Sequence, residues 1–449
     1  MKKERKKGKW EFIKGAAWIA VGGFVAKLIG ALYRIPLTNL IGGHGLGLYQ
    51  MVYPVYCLLL TVSATGIPSS IAKLTAERIG KGEDDRAVLK ASMRLFLIIG
   101  LCGVALMAII APYLAKAQGS EEVLGGYYAL APSVLLVSGI SVFRGWFQGK
   151  NRMFPTALSE ITEQLVKVGF GLVFAYLFKN NIAKAVVLLL LAVSLSELVA
   201  LFVMYIIYKR TPAPDKNKKE RGMVEVKSIL KLSIPVTFSS ILLPLSALLD
   251  SVLAPKFLSA YTSDAVTLYG LFAGGAVTVI NLPVSVCYGI AAASVPAVSR
   301  AAARREKGDS SKKRIFFALL ITVVVALPSA IGLYFFAEPA VKIIFRSLSG
   351  EELLVLIKLI KSFSISALTL SLVQTLSACL TAQGKPQYAA LAMLIGVVVK
   401  TLLYAVWLKN PETSIYGLVS ATNICYFIVM GLNFIFNIAV SRKKKKASC

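Results

Sequence analysis

The sequence is short of the residues that most enzyme chemistry requires. Its 449 residues contain a single histidine, His44, set in a Gly-rich turn. This excludes His-cluster metal sites and most His-based acid–base schemes, and no cofactor is expected. The 6 cysteines show no CxxC spacing and mostly lie in apolar runs, so they read as packing residues. No glycine loop suited to cradling phosphate occurs. Acidic residues are also scarce, 22 Asp and Glu against 50 Lys and Arg, for a formal net charge of +28. Glu83-Asp84-Asp85 lies among basic residues and reads as a solvated turn, not as a metal-binding motif. A membrane glycosyltransferase or ligase would need clustered acids or histidines beside a sizeable extracytoplasmic loop. The loops here are short, and the chain is not expected to be an enzyme.

What is abundant is apolar sequence, 57% of the chain. A run of roughly 20 apolar residues crosses a bilayer as a helix, and such runs recur about twelve times. They cover residues 12–35, 46–72, 88–115, 123–147, 156–178, 183–208, 229–254, 265–299, 314–337, 353–382, 388–408 and 413–440. Runs this long suit helices and not barrel strands, so the expected fold is an all-α, polytopic inner-membrane protein. The first run has a basic flank, but it is too long for a secretory signal and is read as a retained helix.

The distribution of the positive charge separates a topology signal from a nucleic-acid surface. Lys and Arg concentrate in the N-terminal tail, in 73–94, 144–152, 209–231 and 300–314, at Lys385 and in 442–446. These segments alternate along the chain with loops that carry few basic residues. The positive-inside rule then places both termini and the basic segments in the cytoplasm, an arrangement that an even number of spans satisfies. Expected partners are the bilayer and a transported solute; nucleic acid is not among them, and a monomer is expected.

The chain also repeats itself. Gln148-Gly149-Lys150 precedes a helix carrying Lys167, and Gln383-Gly384-Lys385 precedes one carrying Lys400, with identical spacing from Ala157-Leu158 and from Ala390-Leu391. Leu48-Tyr49 and Leu268-Tyr269 open corresponding spans, which Ile67-Pro68 and Val295-Pro296 close. The expected organisation is an N-terminal lobe over 1–208, a cytoplasmic linker over 209–228 and a C-terminal lobe over 229–449. An even number of helices per repeat gives like-oriented six-helix lobes around a central cavity.

Ionisable residues within the spans are the candidate site. At 1.5 Å per residue, Lys167 and Lys400 lie about 16 to 18 Å from the cytoplasmic entry of their helices, with Lys27 at a comparable depth. Facing lipid, each lysine would cost about 2.5–3.5 kcal/mol, so a wetted interior is the expected location. Glu160, Glu163, Gln164 and Lys167 follow the i, i+3, i+4, i+7 spacing of one helical face. Two readings stay open for that face: a self-neutralising Glu163–Lys167 pair, or a polar stripe lining the path. Arg34 and Arg144 are further cavity candidates, with interfacial snorkelling as the alternative. Asp250 and Glu197 are candidate sites for a coupling ion, Na⁺ or H⁺.

Several segments taken together resemble a known family. These are Ile29-Gly30-Ala31-Leu32-Tyr33-Arg34-Ile35-Pro36, Gly45-Leu46-Gly47-Leu48-Tyr49, Phe143-Arg144-Gly145-Trp146-Phe147-Gln148-Gly149, and Pro155-Thr156-Ala157-Leu158-Ser159 with Glu163-Gln164. The set resembles the multidrug/oligosaccharidyl-lipid/polysaccharide (MOP) exporter superfamily, in the branch of stage V sporulation protein B and lipid-linked oligosaccharide flippases. That resemblance implies alternating access and a polyprenyl-diphosphate-linked sugar as substrate, such as a cell-wall or polysaccharide precursor. It also implies a substrate role for Lys27 and Arg34. Lipid II flippases of the superfamily have fourteen spans, and they carry further cavity arginines in spans 2 and 8, where this chain has the Thr61 and Thr278 regions. A cation-coupled multidrug antiporter on the same fold is the alternative reading.

Overall fold

The computed structural model describes residues 2–65, 67–212, 227, 229–230, 233, 237, 240–287, 289, 309–348 and 350–446. Side chains are described within these ranges except at 2–17, 19–20, 24, 27, 31, 64–65, 309–312 and 441–446. No β-strand occurs among the described residues, as the long apolar runs require: within hydrocarbon a helix satisfies its own backbone donors and acceptors.

The first element, α1 (Lys2–Leu60), joins two expected spans into one helical path. At 1.5 Å per residue it is about 90 Å long, far more than one crossing needs. The break falls at Gly42, whose φ of 64° and ψ of −172° only glycine adopts without strain. Asn39 is helical, and its amide donates back to the Ile35 carbonyl at 3.1 Å. After a π-helical turn (Thr61–Thr65) come α2 (Ile67–Gly80), α3 (Arg86–Gln118), α4 (Leu124–Gly149), α5 (Phe154–Leu177) and α6 (Ile182–Lys209). The second half contains α7 (Leu242–Leu258) and α8 (Ala265–Gly270), which continues through a π-helical turn (Leu271–Ala276) to Cys287. Then follow α9 (Asp309–Phe335), α10 (Ala337–Ile344), α11 (Gly350–Phe363), α12 (Ile365–Ala382), α13 (Pro386–Trp407) and α14 (Ser414–Lys446).

Among the described residues, 9 helical stretches are long and apolar enough to cross a membrane. Helix α5 is also long enough, but it carries Glu160, Glu163 and Lys167. The single span expected over 353–382 divides into α11 and α12 at Ser364. Beyond residue 212, most of the expected 209–228 linker lies outside the described residues, as does the end of the span expected over 265–299.

The chain forms two compact units, residues 1–41 with 51–244 and residues 42–50 with 245–449. Residues 42–50 therefore pack with the second half of the sequence. Within that unit, the Gln50 amide donates to the Ala273 carbonyl at 3.0 Å. In the first unit, the Met51 carbonyl accepts from Gln118 at 2.8 Å and from Tyr127 at 3.2 Å.

In the first unit α4 is the central helix, packed by α2, α3 and α6. Its Trp146 and Phe147 are fully buried with Ile71, Phe96 and Met204. At the same end of α4, Asp85 is buried and holds Lys150 at 2.7 Å, and Lys150 lies 4.6 Å over the Trp146 ring. The Glu83-Asp84-Asp85 turn is thus solvated only in part: Asp85 is a packed anchor. No group of His, Cys, Asp and Glu able to hold a metal occurs among the described residues. In the second unit, α12 and α14 are joined by side-chain amides, with Gln383 donating to Asn437 at 2.8 Å and Asn433 to Ser377 at 2.9 Å. Such bonds hold helices together where water is excluded and the hydrophobic effect gives little help.

Candidate functional site

Small residues set the geometry of the first unit's polar region. A β-carbon on Gly22 would lie 2.5 Å from that of Ala157, and one on Gly30 would lie 3.1 Å from Gln164 Oε1. A β-carbon on Gly171 would run into the Tyr33 hydroxyl. These three approaches ascend both helices together, so residues 22–33 of α1 run parallel to α5 at close range. Overpacking such a contact costs about 1–3 kcal/mol. Gly171→Ala should therefore lower resistance to unfolding in detergent, and adding Tyr33→Phe should recover part of the loss. Equal stabilities for the single and double variants would refute the contact.

Along this seam lie the polar residues of α5. Arg144, on α4, donates through Nε to Ser159 Oγ at 2.9 Å and through Nη2 to Glu163 Oε2 at 3.2 Å. The other oxygen of Glu163 accepts from Gln164 at 3.2 Å. Glu163 therefore pairs with Arg144 and not with Lys167, which answers the first of the two readings left open for this face. Glu160 faces α1, with Oε2 3.6 Å from where a β-carbon on Gly23 would stand. Lys167 is partly buried and makes no hydrogen bond or ion pair among the described residues. Glu163, Glu197, Arg34 and Cys57 all lie within electrostatic reach of it. Arg34 is partly buried on α1. The side chain of Lys27 lies outside those described.

Glu197 on α6 is 3% exposed. The Tyr56 hydroxyl donates to its Oε1 at 3.2 Å, and its Oε2 has no partner. With it, the described ionisable residues of this region are three basic, Arg34, Arg144 and Lys167, and three acidic, Glu160, Glu163 and Glu197.

In the second unit the repeat equivalent of Lys167 has a different environment. Lys400 is 2% exposed. Its ammonium lies 2.7 Å and 2.9 Å from the two oxygens of Asp250, and it donates to Ser246 Oγ at 2.5 Å. The Tyr404 hydroxyl adds a further bond to Asp250 Oδ1 at 2.8 Å. Lys400 and Asp250, expected as a cavity cation and a separate ion site, are thus partners in one buried pair. The correction has a simple cause: a lysine and an aspartate that are both short of water satisfy each other when helix packing brings them together. Tyr56, Ser159, Ser246 and Tyr404 were absent from the expected site. Ser246 and Tyr404 had a sequence signal, since each lies four residues, one helical turn, from Asp250 or Lys400.

A solved multidrug resistance transporter of the MATE family in an inward-facing conformation, itself of the MOP superfamily, matches this fold with a TM-score of 0.80. The match has 16% identity and covers 94% of this chain and 96% of that one. The long apolar helices, with ionisable residues in their interior, define a multi-pass membrane protein with the fold of that transporter. More particularly, the chain belongs to the polysaccharide biosynthesis protein family, whose pattern matches residues 12–302. Stage V sporulation protein B of Bacillus subtilis is 28% identical over 91% of this chain and 80% of its own length. Lipid II flippase MurJ of Bacillus subtilis is 23% identical over 95% and 82%.

Proposed function

We propose that this protein is a flippase for a polyprenyl-diphosphate-linked oligosaccharide, or a related cell-wall or polysaccharide precursor. It moves its cargo across the cytoplasmic membrane by alternating access, with both termini on the cytoplasmic side. One observation carries the reading: Lys167 is an intramembrane ammonium with no partner among the described residues, whereas Arg144 and Lys400 are engaged by Glu163 and Asp250. An ammonium left unpaired at such depth is costly, and an anionic ligand that hydrogen-bonds to it offsets the cost. Arg34 and Lys27 belong to the same proposed contact surface. A diphosphate headgroup meets the requirement, and the lipid-linked cargo named for the MurJ relative supports it.

Energetics are compatible with this cargo. Moving two negative charges outward across an inside-negative potential of 100 mV releases about 4.6 kcal/mol. No coupling ion at Asp250 is needed, because Lys400 and Tyr404 already occupy its oxygens. The three described carboxyl groups around Lys167, those of Glu160, Glu163 and Glu197, carry a second reading, a cation-coupled multidrug antiporter.

The test is reconstitution into liposomes containing a polyprenyl-diphosphate glycan, with headgroup sidedness read with and without an imposed potential. Potential-stimulated flipping supports the flippase. Absence of flipping, together with efflux of a cationic dye against an ion gradient, would transfer the assignment to the antiporter.

A further inference from the structure

Glu197 is the buried ionisable group that the transport reading leaves unused. Its carboxyl has two oxygens and one hydrogen-bond donor, Tyr56 at 3.2 Å, and no donor reaches Oε2. No cation lies within ion-pair distance among the described residues. Arg144 acts on it only through space, being bonded to Ser159 and Glu163, and Lys167 likewise makes no direct contact. The titratable groups facing it are Tyr56 on α1, Arg144 on α4, and Glu163 and Lys167 on α5. Tyr53 stands behind Tyr56, their rings 5.7 Å apart.

An ionised carboxylate at this depth needs a direct counter-charge or several donors, and Glu197 has neither. A metal cation fits poorly beside Arg144 and Lys167, whose charges repel it. A proton needs no coordination shell and neutralises the group where it stands.

We propose that Glu197 is a proton-binding site of the first unit, held in place by Tyr56. The site itself holds whichever cargo is carried, and its test needs no substrate.

The experiment is a pH titration by difference infrared spectroscopy on the full-length protein in lipid nanodiscs, following the C=O stretch of a protonated buried carboxyl. Wild type should show a band that appears as pH falls. Glu197→Gln should lose it, and Glu163→Gln should keep it. Tyr56→Phe, which removes the hydrogen bond but leaves the carboxyl, should move the band to higher wavenumber. A titrating band unchanged in Glu197→Gln would overturn the proposal. Should that variant fail to fold, a band unmoved by Tyr56→Phe would overturn it equally.

Discussion

Lys167→Met should abolish most flipping of the proposed lipid-linked glycan and leave the fold intact. The second half of this expectation comes directly from the structure. Lys167 makes no hydrogen bond or ion pair among the described residues, so removing its ammonium breaks no native contact. Methionine keeps most of the aliphatic stem and places a less costly group in the same surroundings. The first half comes from the energy of the lost contact. A hydrogen bond from a charged donor contributes about 1.5–3 kcal/mol, which corresponds to about a 10- to 100-fold loss in binding or rate. Lys167→Arg retains the charge and should retain part of the activity. The measurements are headgroup sidedness in reconstituted liposomes and resistance to unfolding in detergent. Full activity in the Met variant would remove the one observation on which the flippase reading stands.

The opposite pattern is expected at Lys400. Here the ammonium is almost fully buried and holds Asp250 and Ser246. Removing either partner of a buried pair leaves an uncompensated charge, at a cost of about 3–5 kcal/mol. Lys400→Met and Asp250→Asn should each destabilise by that order. The double variant should destabilise by clearly less than the sum, because neither charge remains. Equilibrium unfolding in mixed micelles gives the cycle, and strict additivity would show that the pair is not formed. The two repeat-related lysines are thus distinguished by two readouts, transport at Lys167 and stability at Lys400.

Much of this molecule was legible from residue order. The i, i+3, i+4, i+7 spacing put Glu160, Glu163, Gln164 and Lys167 on one face of α5, and the apolar runs delimited α3 to α6 closely. Partner choice was not legible. Glu163 lies one helical turn from Lys167, the pairing that helical spacing alone suggests. Arg144 takes it instead, because Ser159 and Glu163, themselves one turn apart, present two acceptors to the Nε and Nη2 of one guanidinium. Lys400 and Asp250 are 150 residues apart in sequence, and no local pattern connects them. The break near Gly42 was legible, since the expected spans end at 35 and resume at 46 across the Gly-rich turn around His44. Which glycine of that turn carries the break was not, and the structure places it at Gly42, with φ of 64°.

Taken alone, the amino-acid order determined that this chain is a helical membrane protein. Hydrophobic runs long enough to cross a bilayer leave the backbone no other way to satisfy its hydrogen bonds. Tertiary structure decided which intramembrane charges are spent on each other and which are left to meet a ligand. Hydropathy and spacing describe each helix by itself, whereas an ion pair depends on a through-space distance of a few ångströms between side chains on different helices.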